Sequence, residues 1–343
     1  MRDSPLVPTM NTDQPLRVGV IGTGYIGTTV GGQFHHHPKS TVEAITEIDA
    51  DRRETAAERF GVSEGALYED YREMIAGTEL DAILVGTPHT LHHEQILAGL
   101  EADLHVFCDK PLATDLDHAK EIAERVEGSS RTLMVGYQRH LNPAFISARE
   151  RFQGSKPEWM TAEITQNWLP RFTDTWRTDP DLSGGGMLYD TGSHLLDGLL
   201  WTSGLEPTAV FSRMEFVDDE RRVDSEATVL IEFANGATAN VTVSGDLPCV
   251  REHIHLWNDE GAVSLDGRQW EPRSVTDIDT ENTEHVPYLD HDEQVNKAEA
   301  FLTAIEEDSA PPATVHDALR VTAVTEAAYE SARAGEWIDV DLD

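Results

Sequence analysis

The feature that most constrains this chain is a glycine-rich turn near its N-terminus. Residues 16–21 (LRVGVI) form a short apolar run, and the sequence GTGYIG follows directly at residues 22–27. A buried strand, the spacing G-x-G-x-x-G and a helix after it are typical of the dinucleotide-binding turn of a Rossmann fold. Gly22 permits the tight turn, Gly24 lets the backbone approach a pyrophosphate, and Gly27 lets the helix pack on the strand. The residues predicted to bind the dinucleotide here are Gly22, Gly24, Tyr25, Ile26 and Gly27.

An acidic residue beyond the turn bears on the choice of cofactor. Glu47 lies twenty positions after Gly27, near the end of a second predicted strand at 41–48. A carboxylate there can accept hydrogen bonds from both ribose hydroxyls and would repel a 2′-phosphate, so NAD is favoured over NADP. Asp49 is a competing candidate for this role. Arg52 and Arg53 could accommodate a 2′-phosphate, and they keep NADP as an alternative.

Strand and helix patterns alternate along the first 135 residues. Apolar runs at 81–85, 104–108 and 132–135 are separated by helical patterns, which predicts a doubly wound parallel α/β sheet. After Gly136 the sequence is rich in strands, with an Asn235-Gly236 hairpin signal, and predicts an α+β domain with a mostly antiparallel open sheet. Helices are expected at 187–202, 293–306 and 315–334, and an acidic loop at 277–293. The predicted domains are 15–137 and 138–343, after a disordered extension at 1–14 in which Met10 is an alternative start.

The net charge limits the partners. The chain carries 63 Asp and Glu against 26 Lys and Arg, a formal charge of −37. Such a surface would repel nucleic acid and anionic membranes, so we expect neither as a partner. Acidic residues spread over the whole sequence suggest salt adaptation, which equal stability in low and molar salt would contradict. With two cysteines, no signal peptide and no apolar run of membrane-spanning length, the expected location is the cytoplasm.

Two segments contain candidates for acid–base chemistry. Lys110 is one of five lysines in the chain and comes between an apolar strand and Pro111. A lysine taken out of water can exchange a proton at working pH, which arginine cannot, although a surface lysine at a strand end is the alternative. In GGGMLYDTGSHLLD, at residues 184–197, a helix would put Asp190 and His194 on one face as i and i+4. A histidine beside a carboxylate is a natural general base, and a capped helix with a satisfied histidine is the alternative. No third ligand completes a metal set, so we predict no metal.

A third segment follows the predicted strand 81–85. Thr87, Pro88 and His89 come at the carboxyl end of that strand, where parallel α/β sheets bind ligands. They are therefore expected to lie beside the cofactor.

Together these motifs resemble the Gfo/Idh/MocA family of oxidoreductases over about residues 16–340. CDKP at residues 108–111 is similar to the family's E-K-P motif, with Asp109 in place of the usual Glu, and GGGMLYDTGSHLLD is similar to its G-G-G-x-x-x-D-x-G-x-H motif. The resemblance implies catalytic roles for Lys110, Asp190 and His194, with Lys110 also touching the cofactor. It also implies a homodimer or homotetramer and a C-terminal helix that returns to the first domain. The candidates for substrate contact are Tyr137, Arg139, Asn167 and Trp168.

The function implied by this resemblance is reversible hydride transfer between a sugar or polyol CH–OH and the nicotinamide. Two alternatives stay open. The chain could be a sugar sensor that binds NAD without turnover, or a glycosidase that uses NAD transiently and releases no NADH.

Overall fold

The computed structural model describes residues 14–290 and 295–342. The disorder predicted for residues 1–14 therefore concerns residues outside the described part, except for Gln14. Within the described part there are two sheets, one in each half of the chain.

The first half is built around a six-stranded parallel sheet. Its strands lie in the order β3-β2-β1-β4-β5-β6, and all five neighbouring pairs are parallel. This is the doubly wound arrangement predicted from the sequence. The strands are β1 (Leu16–Ile21), β2 (Ser40–Thr46), β3 (Leu67–Tyr68), β4 (Ala82–Val85), β5 (His105–Cys108) and β6 (Leu133–Val135). The helices are α1 (Tyr25–His36), α2 (Ala50–Phe60), α3 (Tyr71–Gly77), α4 (His92–Glu101) and α5 (Leu116–Glu127).

The second half contains a nine-stranded sheet in the order β14-β13-β12-β11-β7-β10-β9-β8-β15. Only β7 and β10 pair in parallel, so the sheet is mostly antiparallel, as predicted. Its strands are β7 (Trp159–Asn167), β8 (Pro207–Phe216), β9 (Asp224–Phe233), β10 (Thr238–Ser244), β11 (Asp246–Asn258), β12 (Gly261–Arg268), β13 (Ser274–Ile278), β14 (Glu284–His285) and β15 (Ile338–Asp339). The helices are α6 (Pro143–Arg151), α7 (Leu169–Phe172), α8 (Pro180–Ser183), α9 (Ser193–Ser203), α10 (Lys297–Glu306) and α11 (Val315–Ala334).

The structure differs from the sequence prediction in two segments. The helix expected at 187–202 begins as a π-helical turn, Leu188–Gly192, and continues as α9 from Ser193. The acidic segment 277–293, expected to be a loop, contributes the end of β13 and the strand β14 to the sheet edge. Residues 291–294 of that segment lie outside the described part.

The closing helices connect the two halves. Phe301 of α10 packs edge-to-face on Phe34 of α1 and on Phe107 of β5, with ring centroids 5.9 Å apart in both cases. On α11, Glu326 accepts a hydrogen bond of 2.8 Å from the backbone N–H of Leu116, at the start of α5. Among the described residues, no helix has both the length and the apolar character needed to cross a membrane.

A buried ion triad attaches the second sheet to the segment after β6. Glu252 of β11 accepts hydrogen bonds from Arg139, at 2.7 and 2.6 Å, and from Arg273, at 3.0 Å through Nε. Glu252 is 1 % exposed and Arg139 is 3 % exposed. Burial by itself would raise the pKa of Glu252, but the charges of Arg139 and Arg273 outweigh it and lower the pKa.

We expect Glu252→Ala to destabilise the protein by about 3–5 kcal/mol, because it leaves two buried guanidinium groups without their carboxylate. The free energy of unfolding in urea, measured in high salt, checks this. Since the folded state lowers the pKa of Glu252, its contribution is present above the unfolded pKa and is lost as the pH falls. Glu232→Ala, at an exposed position of β9, is the control. Equal loss of stability in the two variants would contradict the role of the triad.

Candidate active site

The glycine-rich turn has the shape that a dinucleotide requires. A Cβ on Gly27 would lie 1.8 Å from the carbonyl oxygen of Gly22, so only glycine permits this approach of helix to strand. A Cβ on Gly24 would meet no atom within 4 Å, which leaves open space beside the turn. Gly24 is the N-cap of α1 and has no side chain to cap the helix. The backbone N–H groups of this helix end therefore fit a pyrophosphate.

The acidic residue after β2 lies against the turn. Glu47 is buried, and its Oε2 accepts hydrogen bonds from the backbone N–H of Thr23, at 2.8 Å, and from the Thr23 hydroxyl, at 2.9 Å. Its Oε1 accepts a bond of 3.2 Å from the backbone of Asp49. Asp49 itself is the N-cap of α2, so its carboxylate accepts from the Arg52 backbone. The Glu47 carboxylate is thus held at the end of β2. Because it already accepts three hydrogen bonds within the protein, it has fewer lone pairs available for ribose hydroxyls than the sequence suggested.

A lysine from the first half and an aspartate from the second half meet in the interior. The ammonium Nζ of Lys110 donates to Asp190 Oδ1 at 2.8 Å and to the Asp190 backbone oxygen at 2.7 Å. Lys110 is 7 % exposed and Asp190 is 8 % exposed. An ammonium has three N–H donors, so one is left for another acceptor. Eighty residues of sequence separate this pair, which the fold brings into contact.

The second carboxylate oxygen of Asp190 is also engaged. Trp168 Nε1 donates to Oδ2 at 2.8 Å, and Arg177 Nε donates to the same atom at 2.9 Å. Burial would raise the pKa of Asp190, but the charges of Lys110 and Arg177 outweigh it and hold the pKa far below the usual range. Asp190 is therefore a fixed anion that holds the Lys110 ammonium in place.

His194 lies one turn further along the chain and is not bonded to Asp190. Its Nδ1 is buried and has no hydrogen-bond partner in the described part of the chain. Its ring is edge-to-face with Tyr137, at a centroid distance of 6.1 Å, and is tilted relative to the Trp270 ring, at a centroid distance of 6.4 Å. Burial lowers the pKa of His194, and the charges of Arg139, Lys110 and Lys297 lower it further. The imidazole is therefore neutral at neutral pH. The pairing of His194 with the Asp190 carboxylate, expected from their i and i+4 spacing, has no hydrogen bond to support it.

The three glycines before Asp190 all lie close against protein atoms, and Gly184 also lines a cavity. A Cβ on Gly186 would lie 2.0 Å from the carbonyl oxygen of Asp224, and one on Gly185 would lie 2.1 Å from the Tyr189 ring. The motif thus lets the turn that carries Asp190 pack tightly on β9. This packing explains Gly185 and Gly186.

The cofactor neighbours predicted after β4 divide into two groups. Thr87 lies against the glycine-rich turn, because a Cβ on Gly22 would be 2.8 Å from its methyl group. Pro88 follows it and is half-buried. His89, by contrast, packs against the second half. Its Nδ1 lies 3.0 Å from the Ser183 carbonyl oxygen and its Nε2 lies 3.9 Å from Asp190 Oδ1.

The four candidates for substrate contact are placed differently from one another. Tyr137 and Trp168 are fully buried, and the indole N–H of Trp168 donates a hydrogen bond to Asp190. Arg139 is bound to Glu252 and acts on His194 through its charge. Asn167 is exposed, and its contact with the substrate stays a prediction. Side chains alternate between the faces of a strand, so Asn167 points away from the buried face of β7 that carries Ile164 and Gln166.

Three neighbours of the site were missed in the sequence. Gln166 lies on the buried face of β7, with Ala162 and Ile164, and accepts a bond of 2.8 Å from Thr191, so period-two alternation could have found it. Arg177 binds Asp190 from the segment Trp176–Thr178, with no signal that predicts the pairing. Lys297 lies 3.9 Å from Asp109, and the scarcity of lysine that drew attention to Lys110 applies equally to it.

A dinucleotide turn on a parallel sheet, with a buried ammonium and a neutral imidazole between two domains, defines a two-domain dinucleotide-dependent oxidoreductase. Residues 16–137 match the oxidoreductase family with an NAD-binding Rossmann fold, and residues 155–264 match the GFO/IDH/MocA C-terminal domain. The chain belongs to the GFO/IDH/MocA family. The expected cofactor, NAD with NADP as the alternative, agrees with this match.

Relatives and solved structures cover between about two thirds and nearly all of the chain. A D-xylose 1-dehydrogenase (NADP⁺) of Haloferax volcanii is 25 % identical over 94 % of this chain and 99 % of its own length. A myo-inositol 2-dehydrogenase of Thermotoga maritima is 28 % identical over 65 % of this chain and 66 % of its own. The structure of a levoglucosan dehydrogenase in complex with NADH has a TM-score of 0.82 at 22 % identity, and the match covers 96 % of this chain and 100 % of that one.

Proposed function

We propose that this chain is a dehydrogenase that transfers a hydride between a CH–OH group of a sugar or polyol and NAD or NADP. The observation that carries the proposal is the buried Lys110–Asp190 pair, with N···O 2.8 Å, formed between the two halves of the chain beside His194. The relatives named as xylose and inositol dehydrogenases support the substrate class.

The bound nicotinamide supplies the hydride chemistry, and the chain's own residues must hold the substrate and move one proton. Lys110 is held by Asp190 through two of its three N–H donors. The third donor has no acceptor among the described residues, so it can bind the substrate oxygen and stabilise the negative charge that develops on it. His194 is neutral and accepts the hydroxyl proton as general base. Asp190 acts as a positioning residue, since its oxygens are occupied by Lys110, Trp168 and Arg177.

The experiment is a substrate screen with the purified full chain in high salt. Aldoses, inositols, sugar phosphates and glycosides are offered with NAD or NADP. NADH or NADPH formation is followed by absorbance, and products are detected by chromatography. A dehydrogenase accumulates the reduced cofactor with at least one of these substrates. Product without reduced cofactor would favour the cycling glycosidase. Dinucleotide binding with no turnover of any substrate would favour the sensor. The glycosidase result or the sensor result would each overturn the proposal.

The position of Glu47 leads to a prediction about cofactor choice. Glu47→Ser is expected to raise the ratio of kcat/KM for NADP to that for NAD by about tenfold, because it removes a carboxylate that repels a 2′-phosphate. Steady-state kinetics with both cofactors measure the ratio. Glu54→Ser, at an exposed position of α2, should leave it unchanged. An unchanged ratio in Glu47→Ser would place the determinant elsewhere.

A further inference from the structure

The π-helical turn Leu188–Gly192 is capped by side chains from two distant elements. It has no side chain of its own that caps its N-terminus. Asp224, the first residue of β9, instead accepts the backbone N–H of Leu188 at 3.0 Å. The hydroxyl of Tyr329, on α11, accepts the backbone N–H of Gly186 at 2.8 Å and donates to the Asp224 carboxylate. These two side chains therefore satisfy backbone N–H groups at the start of the turn.

The two capping side chains are enclosed by the core. Asp224 is fully buried, and Tyr329 is 3 % exposed. The Tyr329 ring packs on Tyr189 and Phe216, at centroid distances of 5.2 and 6.0 Å. A Cβ on Gly185 would lie 2.6 Å from the Tyr329 hydroxyl oxygen, so a glycine is needed to admit this hydroxyl. The pair is thus held in one orientation against the glycines of the motif.

Stability alone does not explain a carboxylate at this position. Burial raises the pKa of Asp224 to about 6, although the hydrogen bonds that it accepts oppose the shift. When folding raises the pKa of a carboxyl group, stability falls as the pH rises from the unfolded pKa to the folded one. The anion present at neutral pH therefore costs the fold free energy. Groups of this kind are expected where function requires a particular geometry, and the geometry here is that of the turn.

The turn sets both contacts between Asp190 and Lys110. Lys110 Nζ donates to the Asp190 backbone oxygen at 2.7 Å and to its Oδ1 at 2.8 Å. The backbone contact requires that the turn itself keeps its place, and not only the side chain. A misplacement of about 1 Å at a reacting group can cost about 10²-fold in turnover. Small movements of the turn should therefore change the position and the effect of the Lys110 ammonium.

We propose that Asp224 and Tyr329 are positioning residues for the reaction, which hold the turn Leu188–Gly192 so that Lys110 faces the substrate oxygen. They act through the backbone at the start of the turn, and Asp190 transmits its position to Lys110 through the two hydrogen bonds. This inference rests on the dehydrogenase function proposed above, in which Lys110 binds the substrate oxygen.

The first measurement is turnover in high salt at saturating cofactor, with the substrate found in the screen. Tyr329→Phe removes only the hydroxyl, and Asp224→Asn leaves one acceptor oxygen for two donors. Each should lower kcat by about tenfold, with NADH binding at the wild-type level. In a Lys110→Met background the same substitutions should lower kcat by less than about twofold, because they act through that lysine.

Ser331→Ala is the matched control on the same helix. It removes a hydrogen bond of 2.9 Å that α11 accepts from the backbone of β8, away from the turn. It should lower stability and leave kcat unchanged, which separates the anchoring of α11 from the positioning of the turn.

A second measurement does not depend on activity. Lys110 is labelled with an amine-reactive reagent, and the rate is followed by mass spectrometry of its peptide. Tyr329→Phe and Asp224→Asn should each raise this rate by about fivefold, because the turn that holds the ammonium is loosened. Labelling of the buried Lys297 in the same samples reports general loosening and should stay at the wild-type rate.

Three results would overturn the inference. They are wild-type kcat and labelling in both variants, equal losses of kcat with and without Lys110, and labelling of Lys297 that rises in parallel with that of Lys110. A wild-type chain that turns over no substrate would instead contradict the proposed function, and the labelling rates would still show whether the two residues hold the turn.

Discussion

Lys110→Met is expected to lower kcat by about 10²- to 10³-fold. The substitution removes the ammonium whose remaining donor is available to the substrate oxygen. It also leaves the buried Asp190 carboxylate with Arg177 and Trp168 as its hydrogen-bond donors. Turnover measured at saturating cofactor, with the substrate found in the screen, checks the prediction.

Two comparisons separate this effect from a general defect. Lys120→Met removes a lysine that is paired with Asp341 on the outside of α5, and it should turn over like the wild type. NADH binding by Lys110→Met should stay near the wild-type value if the lysine acts mainly on the substrate. Turnover close to wild type in Lys110→Met would refute the catalytic role.

His194→Asn is expected to lower kcat by about 10²- to 10⁴-fold, because it removes the general base. The wild-type pH profile provides an independent check. Burial and the nearby charges of Arg139, Lys110 and Lys297 lower the pKa of His194, so its neutral, proton-accepting form persists as the pH falls below 6.5. The acid limb of kcat/KM for substrate oxidation should therefore lie below pH 6.5, with activity rising as the pH increases through it.

The control is His316→Asn, at an exposed histidine of α11, which should leave both turnover and the pH profile unchanged. Two results would assign the proton transfer to another group. One is an acid limb above pH 6.5 in the wild type. The other is substantial activity of His194→Asn with an unchanged acid limb. His89 would then be the first candidate, because its Nε2 lies 3.9 Å from Asp190 Oδ1.

The parts of the fold that could be predicted are mostly those set by neighbouring residues, such as helix ends and turns. The helix 315–334 has the predicted bounds, since Thr314 and Asp317 form a capping box at its start and Gly335 ends it in the left-handed conformation. The glycine-rich turn was also recognisable, because each of its glycines meets a steric requirement of this type of strand–turn–helix unit. Short strands such as β14 and β15 were missed, because a strand of two residues exists only through the neighbour that pairs with it.

For the site, the sequence by itself determined which residue types were available, namely a scarce lysine, an aspartate and a histidine in recognisable motifs. Only the tertiary structure decided how they are combined. It joined Lys110 to Asp190 across eighty residues, supplied Arg177 and Trp168 to the same carboxylate, and left His194 unbonded to it. It also turned Asn167 outwards and brought Lys297 to Asp109. The physical reason is that turns and helix ends depend on nearby residues, whereas burial, charge pairing and strand register depend on what distant segments pack against.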